Sequence, residues 1–561
     1  MQSSRSVKRG LAAVVLASAL IAAACGSGKS SDSAQPAGDA ATGITDVTVA
    51  TTGPPKVGGT LNYALDAESD GWNPTKNRWA TAGTEVGMAV YDPLAAYDEN
   101  TVAQPYLAKS FTPSPDFTQW FVALRPGLVF QDGTPVDAAV LKTIFEAHKA
   151  SALTAPALSA LDEVQVIDQN TALFKMKQPW ATFPSSLTGQ LGMVPSPATV
   201  AGDGTELPIG TGPFKMTQWQ TGDSVTTVKN PSYWRKDDSG VQLPYLDGVN
   251  FKVITETQSK INALIAGNVD MAGTSVPEGV IPAQKAAQAG QIQMIENKGE
   301  TEEAFTMLNV AQPPFDNASA RQAMAYATDQ ASYIAAVDQG NTQPVSAVFR
   351  EGTPFYTDAP YPAYDLDKAK ELVKQYEQET GKPLEFELLE DSTNAGSLQA
   401  QFLKQVWEQA GMKVTIKQQD QALLIVSAVT GKYQAVAWGQ FGSPDPDYDY
   451  LWWISDNAAP QGDLGLNIAR NKDPEIDAAL NAARATTDLA ERQKNYAIVA
   501  TKLNEDLPYI WLARGHYVLM AVNSVRGILQ GPLPDGQPSY PMGGPGGFGL
   551  VTRLTQTWLD R

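Results

Sequence analysis

The sequence predicts an α/β protein built from more than one lobe. Strand-like and helix-like segments alternate along most of its length, and no segment repeats at a fixed period. At 561 residues with 43% hydrophobic content the chain exceeds what a single core ordinarily organises. It has one cysteine, Cys25, so no internal disulfide can form and burial alone must hold the cores.

The elements follow in order. Residues 59–65 (GTLNYAL) alternate like a strand. Residues 117–130 (FTQWFVALRPGLVF) predict two short strands around an Arg125-Pro126-Gly127 turn. Residues 137–149 predict a helix with Ala138, Leu141, Ile144 and Phe145 on one face, and put His148 on its surface. Residues 321–337 and 367–377 are helical by the same test. Over 395–410, Leu398, Phe402, Val406 and Ala410 recur at i, i+4, and Gly411 stops the run. Val414-Thr415-Ile416 resumes a strand, and 473–504 predicts a pair of helices.

The N-terminus carries a targeting pattern. Arg5, Lys8 and Arg9 precede an apolar run from Leu11 to Ala24, interrupted only by Ser18. Fourteen residues rise about 21 Å as a helix, short of a hydrocarbon core of about 30 Å, so the run reads as a signal peptide over 1–24. The stretch Leu20-Ile21-Ala22-Ala23-Ala24-Cys25 resembles a bacterial lipobox, with Ala22 in place of the usual leucine. That resemblance implies cleavage before Cys25 and lipidation of its thiol; the alternative is a plain secretory signal. Residues 25–56, rich in Gly, Ser, Ala, Thr, Asp and Pro, then read as an acylated cysteine and flexible tether.

Charge and motif content exclude several functions. The net charge is −19, and losing the three N-terminal cations makes the chain more acidic still. Nucleic-acid binding and adhesion to anionic lipid both need clustered cations, so neither is expected. Gly26-Ser27-Gly28-Lys29-Ser30 ends like a phosphate-binding loop, but position 23 is Ala where that motif needs Gly. Asp445-Pro446-Asp447-Tyr448-Asp449 alternates acids like a calcium loop, but Tyr450 replaces the turn glycine and position 456 is Asp rather than Glu. The two histidines, His148 and His516, lack metal-ligand spacing, and no GxSxG elbow is present. No catalytic residue, metal or cofactor is therefore expected.

Several blocks, in order, are similar to one family. These are Asp70-Gly71-Trp72-Asn73-Pro74, the stretch 124–135 (LRPGLVFQDGTP), and Gly210-Thr211-Gly212-Pro213-Phe214 followed by 229–234 (KNPSYW). Residues 262–270 (NALIAGNVD) and Pro314-Phe315-Asp316 with 321–329 (RQAMAYATD) complete the set. On these residues the chain resembles the ABC transporter solute-binding proteins of family 5, the peptide, oligopeptide and nickel binders. The blocks themselves have structural readings: Asp132-Gly133 suits a tight turn, Gly210 and Gly212 suit close backbone approach, and Arg321 and Asp329 suit helix ends.

The resemblance implies a two-lobed periplasmic-binding-protein-like α/β fold (the large type II, or cluster C, class) with an extra inserted domain. Lobe I would comprise 57–91, 210–305 and 525–561, the extra domain 92–209, and lobe II 306–524. It implies an extracytoplasmic, lipid-anchored monomer that captures a peptide or peptide-like solute between lobes. The solute then passes to a permease served by a cytoplasmic ATPase. An oligosaccharide or other non-peptide solute, a non-transport sensor lipoprotein, and a hydrolase using a carboxylate pair are the alternatives.

The expected binding loop is 433–453, where a buried strand empties into a Gly-, Ser- and Pro-rich loop. Trp438, Phe441, Gly442 and Ser443 are candidate solute contacts. In peptide-binding relatives an aspartate on this loop holds the α-ammonium; here its place falls at Gly442 or Ser443. A buried ammonium without a carboxylate costs several kcal/mol. So either Asp445 or Asp447 substitutes, or the solute is not a zwitterionic peptide. Glu68, Trp72, Asn73 and Thr84, in the loops expected after the first strand, are the candidates from the first lobe, and Arg350 is a candidate counter-charge from the second.

Overall fold

In the computed structural model, residues 44–45, 53–77, 79–297, 302–440, 443–542 and 550–561 are described. The signal peptide, Cys25, and the loop residues Phe441 and Gly442 lie outside them. Three sheets of four or more strands organise these residues.

The largest has eight strands, in the order Ile44–Thr45, Ile292–Asn297, Tyr517–Val522, Met271–Thr274, Thr60–Leu65, Gly248–Val253, Ser224–Lys229 and Phe214–Gln220. Thr60–Leu65 runs parallel to both of its neighbours, and the other pairings are antiparallel. Successive side chains of a strand point to opposite faces. Leu61, Tyr63 and Leu65 accordingly enter one core and Ala64 the other.

The second sheet has five strands, in the order Lys413–Gln419, Glu385–Asp391, Ala435–Gln440, Glu303–Leu308 and Tyr509–Arg514. Leu388 and Leu389 likewise point into separate cores on its two faces. The third sheet is four-stranded and antiparallel: Ala108–Pro113, Gln119–Leu124, Thr171–Met176 and Leu161–Val166. The helix Ala138–Ala150 packs on it, burying Ala138, Leu141, Ile144 and Phe145. This helix starts where Asp137 accepts from the Ala139 and Val140 N–H groups.

Sheet membership moves two expected lobe boundaries. Tyr517–Val522 is paired on both sides within the eight-stranded sheet, whereas the family resemblance places 306–524 in lobe II. Glu303 already pairs in the five-stranded sheet, three residues before the expected start. A strand alternates the same way in either sheet, so periodicity cannot say which sheet it joins.

Local features also differ from expectation. After Gln119–Leu124 the chain turns without a second strand, and Val129 makes only an isolated bridge to Pro135. Residues 321–337 divide into Ala318–Ala327 and Gln330–Ala336, because Asp329 caps the second helix. The helix Asn394–Gln409 buries Gly396, Ala400, Leu403 and Trp407 and leaves Leu398 exposed. Two apolar stripes at i, i+4 spacing compete there, and the one carrying Trp407 offers more area to bury. His148 is a core residue rather than a surface one: its Nδ1 lies 3.1 Å from the Thr154 hydroxyl.

The GTGPF block behaves as expected of close-packed backbone. A Cβ on Gly212 would sit 2.5 Å from the Val90 carbonyl carbon and 2.6 Å from the Tyr91 nitrogen. Arg321 donates to the Asp506 and Phe315 carbonyls, at 2.6 and 2.9 Å, and so satisfies acceptors left at a helix end.

Candidate functional site

The chain crosses twice between the eight- and five-stranded sheets, once from Asn297 to Glu303 and once from Arg514 to Tyr517. The ends of the two crossings are paired: Asn297 with Tyr517 on one bank, and Glu303 with Arg514 on the other. Glu303 and Arg514 form a buried ion pair, and Arg514 Nη2 donates to the Ala347 carbonyl at 3.1 Å. His516 sits in the second crossing, its Nδ1 3.0 Å from the Asn341 carbonyl and its Nε2 3.7 Å from Glu296. Few-residue connections of this kind are where two lobes hinge, and ligands gather at the strand ends they join.

Trp438 stands at that end of the five-stranded sheet. Its strand, Ala435–Gln440, pairs with Glu303–Leu308 so that Trp438 opposes Phe305 and Gln440 opposes Glu303. Half-buried Trp438 lines a recess of about 10 Å³ with Phe305, Met307, Trp452, Ile468 and Tyr509. The recess is apolar apart from its aromatic edges, and Trp452 Nε1 is buried with no hydrogen-bond partner among the described residues. Too small to enclose a side chain, the recess presents aromatic faces against which an apolar group can pack, and one donor.

Downstream, the loop fastens the five-stranded body to the inserted domain. Ser443 is buried, its hydroxyl 3.4 Å from that of Tyr97. Asp445 accepts from Arg492 and, at 3.2 Å, from the Ser185 hydroxyl. Asp447 Oδ2 accepts from Trp180 Nε1 and the Thr182 hydroxyl, both at 2.7 Å, while Oδ1 accepts from Arg484 Nε at 2.7 Å. Arg484 is held between the rings of Trp180 and Tyr450, at 4.6 and 3.4 Å. Burial pulls the Asp447 carboxyl upward, but Arg484 and the two further donors outweigh it and hold the group below the ordinary aspartate value. The expectation that Asp445 or Asp447 offers a free carboxylate is therefore corrected. Both are committed to a buried interdomain latch.

On the eight-stranded side, Glu68 accepts from Trp219 Nε1 at 2.7 Å and the Gly222 N–H at 2.8 Å, which ties down the turn after Phe214–Gln220. Asn73 is fully buried and donates to the carbonyls of Thr199, Val200 and Gly202. Its role as a solute contact is corrected to that of a structural clamp. Thr84, expected in a loop, is buried within the helix Thr81–Val90. Trp72 packs edge-on against Trp219 at 5.6 Å, with its Nε1 buried and unpartnered. Arg350 is half-buried, and its carbonyl accepts from Thr353.

Other residues at the site escaped the sequence reading. Glu85 lies in the helix Thr81–Val90, an acid in a run where nine of ten residues are buried. Burial lifts its carboxyl to about 8, and the Thr552 N–H draws it partly back. An acid inside an otherwise apolar helical run was the available signal. Arg484 and Arg492 gave none, since their sequence neighbours are ordinary helix residues. Among the described residues no three His, Cys, Asp or Glu side chains come together as a metal site.

Over residues 102–461 the chain matches the bacterial extracellular solute-binding proteins, family 5 (middle). The glutathione-binding protein GsiB of Pectobacterium atrosepticum is 27% identical over 455 residues, which are 79% of this chain and 85% of GsiB. Its Escherichia coli K12 counterpart is 27% identical over 77% of this chain and 84% of its own. Among solved structures, AgaA of A. tumefaciens R10 in complex with agropinic acid superposes with TM-score 0.77 at 24% identity, covering 90% and 99% of the two chains. DppA of Helicobacter pylori in complex with peptide STSA gives 0.76 at 22%, over 90% and 99%. The chain belongs to the family 5 bacterial extracellular solute-binding proteins, in the two-lobed fold of those structures, and is the extracytoplasmic solute receptor of an ABC importer.

Proposed function

We propose that the solute is a peptide or peptide-like molecule with an apolar or aromatic side chain, seated against Trp438 beside the two crossings. The observation that carries this reading is the aromatic recess lined by Phe305, Trp438, Trp452 and Tyr509. Closure about the Asn297–Glu303 and Arg514–Tyr517 connections buries the solute and presents the closed form to the permease. The similarity to glutathione-binding proteins supports a short peptide-like solute, and γ-linked peptides belong in any screen. Trp438 is the favoured contact from the second lobe, with Phe441, Gly442 and Ser443 as further candidates and Arg350 as a counter-charge. Binding involves no bond chemistry, and the protein acts as a monomer.

The reading extends to anchoring: Cys25 carries the fatty acids that hold the protein at the outer face of the membrane. Labelled palmitate should enter the wild type and not Cys25→Ala, which should be released to the medium.

The test of solute class is a thermal-shift screen of the chain from Gly26 onward against glutathione, tripeptide pools and oligosaccharides. A true ligand raises the melting temperature with its concentration by mass action. Shifts with oligosaccharides and none with glutathione or peptides would sink the peptide reading.

A further inference from the structure

A second recess, of about 20 Å³, opens on the eight-stranded side of the crossings. It is lined by Tyr63, Leu65, Thr81, Glu85, Gly273 and Leu550, among others. Its position follows from strand register. Thr274 pairs with Val518, one residue from Tyr517, and Tyr517 pairs with Asn297 where the first crossing begins. Leu65 and Gly273 therefore mark the strand ends that face the five-stranded sheet, the same border on which Trp438 stands.

Glu85 is the buried acid lining this recess, and Asp66 is an exposed one. Glu85 is 2% exposed; Oε2 accepts from the Thr552 N–H at 2.9 Å, and Oε1 is buried without a hydrogen-bond partner among the described residues. A native fold rarely leaves a buried carboxylate oxygen unpaired, so such an atom calls for an occupant. The other carboxylates expected at the cleft do not supply one: Asp445, Asp447 and Glu68 have both oxygens engaged within the protein. A cavity of this size holds one water-sized group, since about 10–15 Å³ suffices for a water.

We infer that Glu85 is the acceptor for a primary ammonium group of the solute, received in the recess beside Leu65 and Gly273. The inference rests on the proposed seating of the solute between the two sheets, and names the charge its amine end must meet. Burial keeps the carboxyl largely protonated at neutral pH. An entering ammonium favours the carboxylate, so binding releases a proton. The other titratable side chains lining the recess are Tyr63 and Asp66, and Asp66 faces Lys260 of the helix Thr257–Ile265 at 3.6 Å.

The test uses the whole protein, wild type and Glu85→Gln, against free-amine tripeptides, the same tripeptides N-acetylated, spermidine, glucosamine and a neutral oligosaccharide pool. Expected is at least tenfold tighter binding of the free-amine peptides than of the acetylated ones. Glu85→Gln should lose at least tenfold on the free amines, and the heat of binding should vary with buffer ionisation in the wild type only. Unliganded Glu85→Gln should melt no lower than wild type at pH 7, and Glu85→Asp, with a retracted carboxylate, should show an intermediate loss. Equal binding of free and acetylated peptides by both proteins overturns the inference and leaves the peptide reading standing. Glu85-dependent binding of spermidine or glucosamine with no peptide binding upholds the inference and overturns the peptide reading. Binding of the neutral pool alone, or of nothing tested, overturns both.

Discussion

Replacing Asp447 removes the centre of the latch between the inserted domain and the five-stranded body. In Asp447→Ala the Arg484 guanidinium, whose side chain is 4% exposed, loses its carboxylate partner, and Trp180 Nε1 and the Thr182 hydroxyl lose their shared acceptor. Breaking a buried ion pair by deleting one partner costs about 3–5 kcal/mol. Orphaned neutral donors cost about 1–3 kcal/mol each when they stay buried. The rings of Trp180 and Tyr450 still face Arg484 and recover on the order of 1–2 kcal/mol, so the net expectation is a loss of at least about 3 kcal/mol. Asp447→Asn should cost nearly as much, because its NH₂ must face a donor on one side or the other. The assay is denaturant unfolding of Asp447→Asn, Arg484→Met and the double variant, compared with wild type. The double variant should lose less than the sum, with a coupling of about 1.5–3 kcal/mol. The folded carboxyl is held below its ordinary value, so this stabilisation is present above the unfolded value near 4 and fades as pH falls through the folded one. A single-variant cost under about 0.5 kcal/mol, or strict additivity, would refute the latch.

Three further outcomes are expected. Burial holds His148 down to about 3 against an unfolded value near 6.5, so only the unfolded chain takes up the proton between those values. Wild-type stability should fall by on the order of 3 kcal/mol between pH 6.5 and 4, and His148→Leu should lack that slope in denaturation midpoints. Gly212→Ala should lower stability by about 1–3 kcal/mol, because its methyl group meets the backbone of Val90 and Tyr91 rather than a movable side chain. Trp438→Ala should weaken binding of the solute found by screening at least tenfold while leaving the unliganded melting temperature within a few degrees, since Trp438 is only half-buried. Unchanged affinity would remove it from the site.

Much of the fold was legible because its cues are local. The strand beginning near Gly59, the helix after Asp137 and the close approach at Gly212 each follow from a periodicity, a cap or a missing Cβ that a few residues announce. The latch was not legible. Asp445 and Asp447 read as free acids on a loop, and their partners Arg492, Arg484, Trp180 and Thr182 stand 37 to 267 residues away. Nothing in a linear sequence distinguishes a paired carboxylate from a solvated one. Glu85 was half legible: an acid inside a buried helical run is visible, but the recess beside it is made by strand ends from distant segments.

By itself the sequence determined the alternation of helices and strands, the absence of disulfides, the family-like blocks and an N-terminal targeting pattern. These depend on neighbours along the chain. The tertiary structure alone decided which sheet Tyr517–Val522 joins, why His148 is buried, and which carboxylates are committed to the protein's own cations. Those outcomes depend on which surfaces exclude water together, and that is settled only when distant segments pack.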